Sequence, residues 1–331
     1  MQRQWSDMTL TGTELAASPV LYPLQLDAAR DMLLLARLTE ADYRAASFLD
    51  ERMLTPAMRI GWAPFAALAQ AARAIRPRPL HFIFHTGHVG STLLSRLLDA
   101  RGGVLGLREP LPLRDLADAE GAEDARLPVL LRLWTRGFAD TEAVVVKATS
   151  SVGRMAPRLL AAAPDAKAIY LYLPAEPAIA TLIAGTESAK DQARFVSERA
   201  GRIARHLGEA PPPPQSPGEY AALAFLAENL SRRAAMTDAR VLALDFEDFL
   251  AGPAAALARV FNHLGLAADS AALAVHPLMG RYSKAPDQPY SPALRAAVLA
   301  EAREKAGGEI ARGLAWLTAL ARRHPAVAEL L

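Results

Sequence analysis

The sequence predicts an α/β fold, a parallel sheet of about five strands flanked by helices, and three observations lead there. Predominantly apolar runs of strand length recur at residues 80–84, 104–107, 143–147, 168–173 and 240–246, each followed by helical spacing. Such runs fit strands covered on both faces, and their alternation with helices reads as repeated βαβ units. A glycine turn directly after the first run opens a helix, the place where doubly wound sheets carry their ligand sites. Finally, a chain of 331 residues, 52% hydrophobic, is long enough to bury a large core.

Taken in order, residues 1–75 read as a helical extension packed on the core, and residues 76–331 as the α/β domain with added C-terminal helices. Residues 26–74 show helical spacing interrupted at Thr55-Pro56 and Ala63-Pro64. That predicts two or three helices over an edge of the sheet, because proline removes a helical donor and clashes with the preceding turn. Between helical patterns at 191–206 and 219–238, the Pro-Pro-Pro-Pro-Gln-Ser-Pro stretch within 209–218 favours an extended polyproline conformation and an exposed loop. Regularity falls after Leu266 until Ser291. A polar, cationic loop at 280–286 precedes a last helical region over 292–323. No fixed-period repeat occurs, and Ala-rich windows such as 66–74 are helix-forming composition.

Residues 82–98, Phe-Ile-Phe-His-Thr-Gly-His-Val-Gly-Ser-Thr-Leu-Leu-Ser-Arg-Leu-Leu, carry the chemical signal. Backbone N–H groups at a helix N-terminus have no intrahelical partner and lie at the positive end of the dipole, so an anion there satisfies several donors at once. Gly87 and Gly90 permit a close backbone approach that a side chain would block. The candidate anion cradle is therefore Gly87, His88, Val89, Gly90, Ser91 and Thr92, which makes the sheet P-loop-type. A nucleoside-triphosphate loop needs four residues between its glycines and then Lys-Ser or Lys-Thr. Here only His88 and Val89 separate Gly87 from Gly90, and no lysine follows, so ordinary ATP or GTP chemistry is disfavoured. The competing reading is a helix merely capped by Ser91 after a glycine turn.

The order basic residue, one residue, Gly, Ser/Thr, Ser/Thr, Leu-Leu resembles the 5′-phosphosulfate loop of sulfotransferases, with His88 where the family usually has Arg or Lys. The resemblance extends to Leu-Arg-Glu-Pro at 107–110, to Val-Val-Lys-Ala-Thr-Ser at 145–150 followed by Pro-Asp-Ala-Lys at 164–167, and to Leu-Asp-Phe-Glu-Asp-Phe-Leu at 244–250 with Gly252-Pro253 and Leu264-Gly265-Leu266. It implies 3′-phosphoadenosine 5′-phosphosulfate as co-substrate, no metal, and a hydroxyl or amine of a small-molecule acceptor. Catalysis would then require dipoles and cations on the leaving phosphate and a base for the acceptor. Gly90, Ser91 and Thr92 would supply the dipoles. His88 could donate to the bridging oxygen, since histidine titrates near neutrality; its other reading is a turn cap. Glu109 would be the base, or pair with Arg108 or Arg114; Lys147 would neutralise phosphosulfate charge, or form a buried pair with a carboxylate.

One departure has chemical weight. The family holds the donor's 3′-phosphate with an Arg that ends the strand after Pro-Asp-Ala-Lys, here 168–173, and a Ser eight residues on; by this resemblance Leu173 stands at the Arg position and Thr181 at the Ser position. Losing a bidentate Arg removes roughly 1.5–3 kcal/mol of charge-assisted contact. Arg281 and Lys284 of the late loop are the sequence candidates to replace it. Two other readings stay open: a catalytically silent nucleotide- or partner-binding protein, and a P-loop phosphotransferase.

Composition narrows the remainder. The net charge of +2 comes from 37 basic and 35 acidic residues, and no basic run with interleaved aromatics speaks for nucleic acid. Zero cysteines exclude disulfides and thiolate metal sites, and His206, His263, His276 and His324 have no metal-ligand spacing. Residues 1–25 contain Arg3, Asp7 and Glu14 without a continuous apolar core, and no run approaches the roughly 18 apolar residues of a spanning helix. The expectation is a protein without a membrane role, in the cytoplasm.

Overall fold

Where the sequence predicts helices, Leu21–Asp27 (β1), Met32–Arg37 (β2) and Ile60–Pro64 (β3) pair antiparallel in the order β1-β2-β3. The extension is thus built on a small sheet, with only short helices such as Glu40–Ala45 and Phe65–Ala72 beside it. The reason is burial: Leu33, Leu35 and Ala36 are at most 3% exposed, and a continuous apolar run is satisfied by strand pairing where a helix would leave part of it in water. Asp31, at φ 52°, and the Asp27 carboxylate accepting from the Arg30 N–H at 3.0 Å close the hairpin. The computed structural model describes residues 12–118, 124–185, 192–283 and 285–331.

The larger sheet follows the expected order of runs. Leu80–His85 (β4), Val104–Arg108 (β5), Ala143–Lys147 (β6), Ala168–Tyr172 (β7) and Val241–Asp245 (β8) form a five-stranded sheet in the order β5-β6-β4-β7-β8, and every pairing is parallel. β4 lies at its centre. Phe82 pairs with Val146 on one side and Ala168 on the other.

The helices that matter to the site are Ser91–Ala100 (α1), Ala175–Ala184 (α2), Pro217–Ala235 (α3), Phe246–Ala251 (α4), Pro253–Leu264 (α5) and Pro292–Ala321 (α6). One face of the sheet, with Ile83, Val145, Ile169 and Leu171, packs under Leu94 and Leu97 of α1 and Leu257 and Val260 of α5. The opposite face, with Phe82, Phe84, Val146 and Tyr170, belongs to one continuous core that also takes in Leu33 and Leu35 of the N-terminal sheet. Each fully buried Phe contributes roughly 1.5–3 kcal/mol on this account. A third core joins α2, α3 and α6. α6 is kinked at Ala306 (φ −130°, ψ 23°), next to Gly307-Gly308, whose lack of side chains weakens the helix there.

The proline-rich connection is non-helical as expected, but it is not a free loop. Pro211 and Pro214 are buried while Pro212 and Pro213 are exposed. A polyproline helix turns every three residues, so those two prolines share the side that lies on the protein. A two-residue strand, Arg281–Tyr282 (β9), pairs with Ala285–Pro289 (β10) in the late loop. Among the described residues no helix is long and apolar enough to cross a membrane.

His81 is 5% exposed inside β4, and its Nδ1 accepts from the Lys167 N–H at 3.2 Å. Burial, with smaller contributions from Lys167 and His263, pushes its imidazole down to about 4 from the ordinary 6.5. The unfolded chain therefore binds this proton first as pH falls, so the stability is full above pH 6.5 and is lost progressively toward pH 4. Denaturant titrations at pH 7.5 and pH 4.5 are expected to differ by on the order of 2–3 kcal/mol from this group. His81→Gln should flatten that difference; an unchanged pH profile in the variant would remove His81 as its source.

Candidate functional site

The carboxyl ends of the strands converge on one edge, and the first of them carries the cradle. β4 ends at His85, whose Nδ1 accepts the Gly87 N–H at 3.1 Å. Gly87 (φ 90°), His88 (φ 54°) and Gly90 (φ 67°) all lie in the left-handed region, which turns the chain sharply into α1. Glycine adopts it freely; His88 does so under strain of the kind that collects at functional edges. The N-cap of α1 is Gly90 and no side chain caps it, so the competing reading of Ser91 as cap does not describe this helix start. Ser91 and Thr92 are 5% and 3% exposed, and Thr92 Oγ1 is buried with no hydrogen-bond partner.

The two glycines serve different neighbours. A Cβ at Gly90 would stand 2.1 Å from Cε2 of Phe246, so the space beside this backbone is taken by an aromatic ring. At Gly87 the nearest atoms to such a Cβ belong to Ser150 at 4.0 Å, which leaves that side open to a ligand. Ser150 follows β6, and the Ala148 N–H bonds to Ile83 O at 3.0 Å, so the end of β6 lies directly beside the cradle.

Glu109 follows β5, also left-handed at φ 56°. Its N–H donates to Lys147 O at 2.7 Å, and its Oε1 accepts a short hydrogen bond from Lys147 Nζ. Thr149 Oγ1 donates to the other carboxylate oxygen, Oε2, at 3.4 Å. The Lys147 side chain is fully buried and that of Glu109 12% exposed. Of the two alternatives left open for Glu109, pairing with Arg108 is not found: Arg108 is buried and bonds to Asp99 and to the carbonyls of Tyr43 and Ala46.

The structure does not gather every candidate. Gly87 to Thr92, Glu109 and Lys147 come together. Leu173 is 1% exposed in the core beneath α1 and α5, so its side chain belongs to the apolar interior. Thr181 lies within α2, its Oγ1 buried without a hydrogen-bond partner. Arg281 is exposed on β9, and Lys284 lies outside the described residues. Three residues went unselected in the sequence reading: His85, which holds the Gly87 amide, Phe246, and Arg295 of α6, whose guanidinium lies 5.5 Å from the Phe246 ring centroid. Phe246 sits inside a quoted motif; nothing local marks Arg295. Among the described residues no group of three or more His, Asp or Glu could hold a metal ion.

No protein-family model matches the chain, and no curated protein matches it. Among solved structures it is similar to a sulfotransferase from Alicyclobacillus acidocaldarius, at 17% identity over 75% of this chain and 98% of that one, with a TM-score of 0.40. It is also similar to sulfotransferase STF9 from Mycobacterium avium, at 12% identity over 91% of this chain and 98% of that one, with a TM-score of 0.42. Against sulfotransferase STF1 from Mycobacterium tuberculosis H37Rv, the values are 17% identity, 73% and 82% coverage, and a TM-score of 0.37.

Two stability predictions follow from these contacts. Gly90→Ala should destabilise by more than the roughly 1–2 kcal/mol of a left-handed alanine, because its methyl meets Phe246. Adding Phe246→Ala should then cost less than Phe246→Ala alone, a coupling readable in a denaturation double-mutant cycle; strict additivity would show that the ring is not the constraint. Lys147→Met should cost about 3–5 kcal/mol by stranding a carboxylate, and Lys147→Met with Glu109→Leu should recover most of it. If the double variant is as unstable as the single one, the pair is not what Lys147 contributes.

Proposed function

We propose that this chain is a sulfotransferase, moving a sulfuryl group from 3′-phosphoadenosine 5′-phosphosulfate to a hydroxyl or amine of a small-molecule acceptor. The observation that carries the reading is the uncapped N-terminus of α1: a glycine turn without the triphosphate-binding lysine, with a buried Thr92 hydroxyl that has no hydrogen-bond partner among the described residues. A buried unmet hydroxyl beside free helix donors is costly unless an anionic ligand meets both.

The chain's own residues divide the work. The N–H groups of Gly90, Ser91 and Thr92, with the Thr92 hydroxyl, hold the 5′-phosphate and oppose the charge that gathers on it. When bound, the donor supplies the sulfuryl group: the acceptor atom bonds to sulfur, the bond from sulfur to the bridging oxygen breaks, and 3′,5′-bisphosphoadenosine leaves. His88, exposed at the apex of the loop, donates to the oxygen that is left. Glu109 takes the acceptor's proton on Oε2, while Lys147 fixes Oε1 and so the orientation of the carboxylate.

The Glu109–Lys147 pair also favours a second reading, a nucleotide-binding protein without turnover, because a carboxylate already engaged by a buried ammonium can be wholly structural. Calorimetry with 3′,5′-bisphosphoadenosine, ATP and GTP, alongside release of sulfate or sulfated product from the full donor, separates these. Binding of the bisphosphate alone, with turnover, is expected. ATP binding alone would replace the reading with a phosphotransferase, and binding of none would leave a partner-binding protein. Thr92→Val should raise stability by about 1 kcal/mol while weakening the bisphosphate; unaltered affinity would reduce the loop to a turn.

A further inference from the structure

The turn between β4 and α1 is held from both ends. Before it, the Thr86 N–H donates to Leu171 O at 3.1 Å and so continues the pairing of β4 with β7. After it, the Leu94 N–H donates to Gly90 O at 3.0 Å, the first bond of α1. In between, Val89 is 1% exposed in the core that holds Ile83 and Leu94, while the residues on either side of it, His88 and Gly90, are left-handed at φ 54° and 67°. A left-handed histidine is unfavourable on its own, so this shape needs contacts that impose it.

His85 supplies one of them, with a side chain that reaches forward along its own backbone. It is 5% exposed, and its Nδ1 accepts the Gly87 N–H at 3.1 Å. An imidazole nitrogen that accepts carries no proton, so the neutral ring keeps its proton on Nε2. The Gly87 amide is thereby engaged within the chain and does not face a ligand. That leaves the amides at the opening of α1, those of Gly90, Ser91 and Thr92, for an anion. The bond also fixes Gly87, the first left-handed residue of the turn at φ 90°, by the same two-residue closure that an Asn or Asp side chain makes in an Asx turn.

Resting on the sulfotransferase reading, we infer that His85 is a positioning residue for the sulfuryl donor: through Nδ1 it holds Gly87 in the conformation that aims the amides of Gly90, Ser91 and Thr92 and leaves His88 exposed at the apex of the turn. His85 touches no reacting atom. The strain of a left-handed His88 and the worth of one hydrogen bond to an imidazole are of the same order, so without the bond the turn populates other shapes and the donor meets a smaller binding-competent fraction. What position 85 must supply is an acceptor for one amide; the bulk of the ring is secondary.

Two substitutions separate the bond from the packing. Phenylalanine keeps a planar ring without an acceptor, whereas asparagine gives up much of the ring and presents Oδ1 to the amide two residues on. In calorimetry on the full chain, His85→Phe should weaken 3′,5′-bisphosphoadenosine about three- to tenfold, and His85→Asn should stay within about twofold of wild type although it leaves the larger void. Hydrogen exchange at the Gly87 amide reads the bond itself: slow in wild type and His85→Asn, at least about threefold faster in His85→Phe. If His85→Asn is impaired as much as His85→Phe, or more, His85 is a packing residue; the inference is overturned and the sulfotransferase reading stands. Equal affinity in all three proteins overturns it as well. Wild-type protein that binds no bisphosphate overturns the donor reading, and the inference with it. Should His85→Phe fail to fold, the ring-nitrogen resonances of wild-type His85 decide: the proton is expected on Nε2, and a proton on Nδ1 would sink the proposal.

Discussion

Phe246 can lie against the backbone of the glycine turn only because residue 90 has no side chain, and that single contact joins parts of the chain that are remote in sequence. The ring follows β8, at the edge of the parallel sheet, and reaches back to the start of α1, which follows the central strand. Arg295 then covers the ring from α6. A Cβ at position 90 would push the ring away and loosen loop and C-terminal helix together. Glycine is therefore needed here for packing within the chain as much as for the approach of a ligand, which distinguishes it from Gly87, whose side is open.

A second constraint works across the opposite side of the site. Lys147 ends β6 with its ammonium fully buried, and the only acceptable surroundings for such a charge include an opposite one. Glu109 meets it from the neighbouring strand, at the cost of a left-handed backbone that a residue with a Cβ adopts reluctantly. The same contact fixes where the second carboxylate oxygen stands. Structural necessity and the chemistry proposed for Glu109 are thus compatible, since the pairing with Lys147 runs through Oε1 and Oε2 is the oxygen that accepts the long hydrogen bond from Thr149.

Some of this was legible in residue order because it depends on short-range requirements. Continuous apolar runs need cover on both faces, so the five parallel strands could be placed from composition and spacing. A turn into a helix with glycines at positions 87 and 90 needs positive φ, so the turn could be placed too. The N-terminal segment failed the same test: apolar residues at 33–36 fit either a helix or a strand, and the choice fell to pairing with β1 and β3.

By itself, then, the sequence determined the class of the sheet, the position of the glycine turn that opens α1 and the absence of a triphosphate-binding lysine, all of which are written in neighbouring residues. Only the tertiary structure decided that β4 is central, that Glu109 pairs with Lys147, that Leu173 belongs to the core, and that Arg295 leaves a buried donor unmet beside Phe246. The physical reason is that burial and hydrogen-bond satisfaction belong to a side chain's surroundings in space. For Arg295 those surroundings are supplied by α4 and by the loop before α6, and no local pattern in a long helix encodes them.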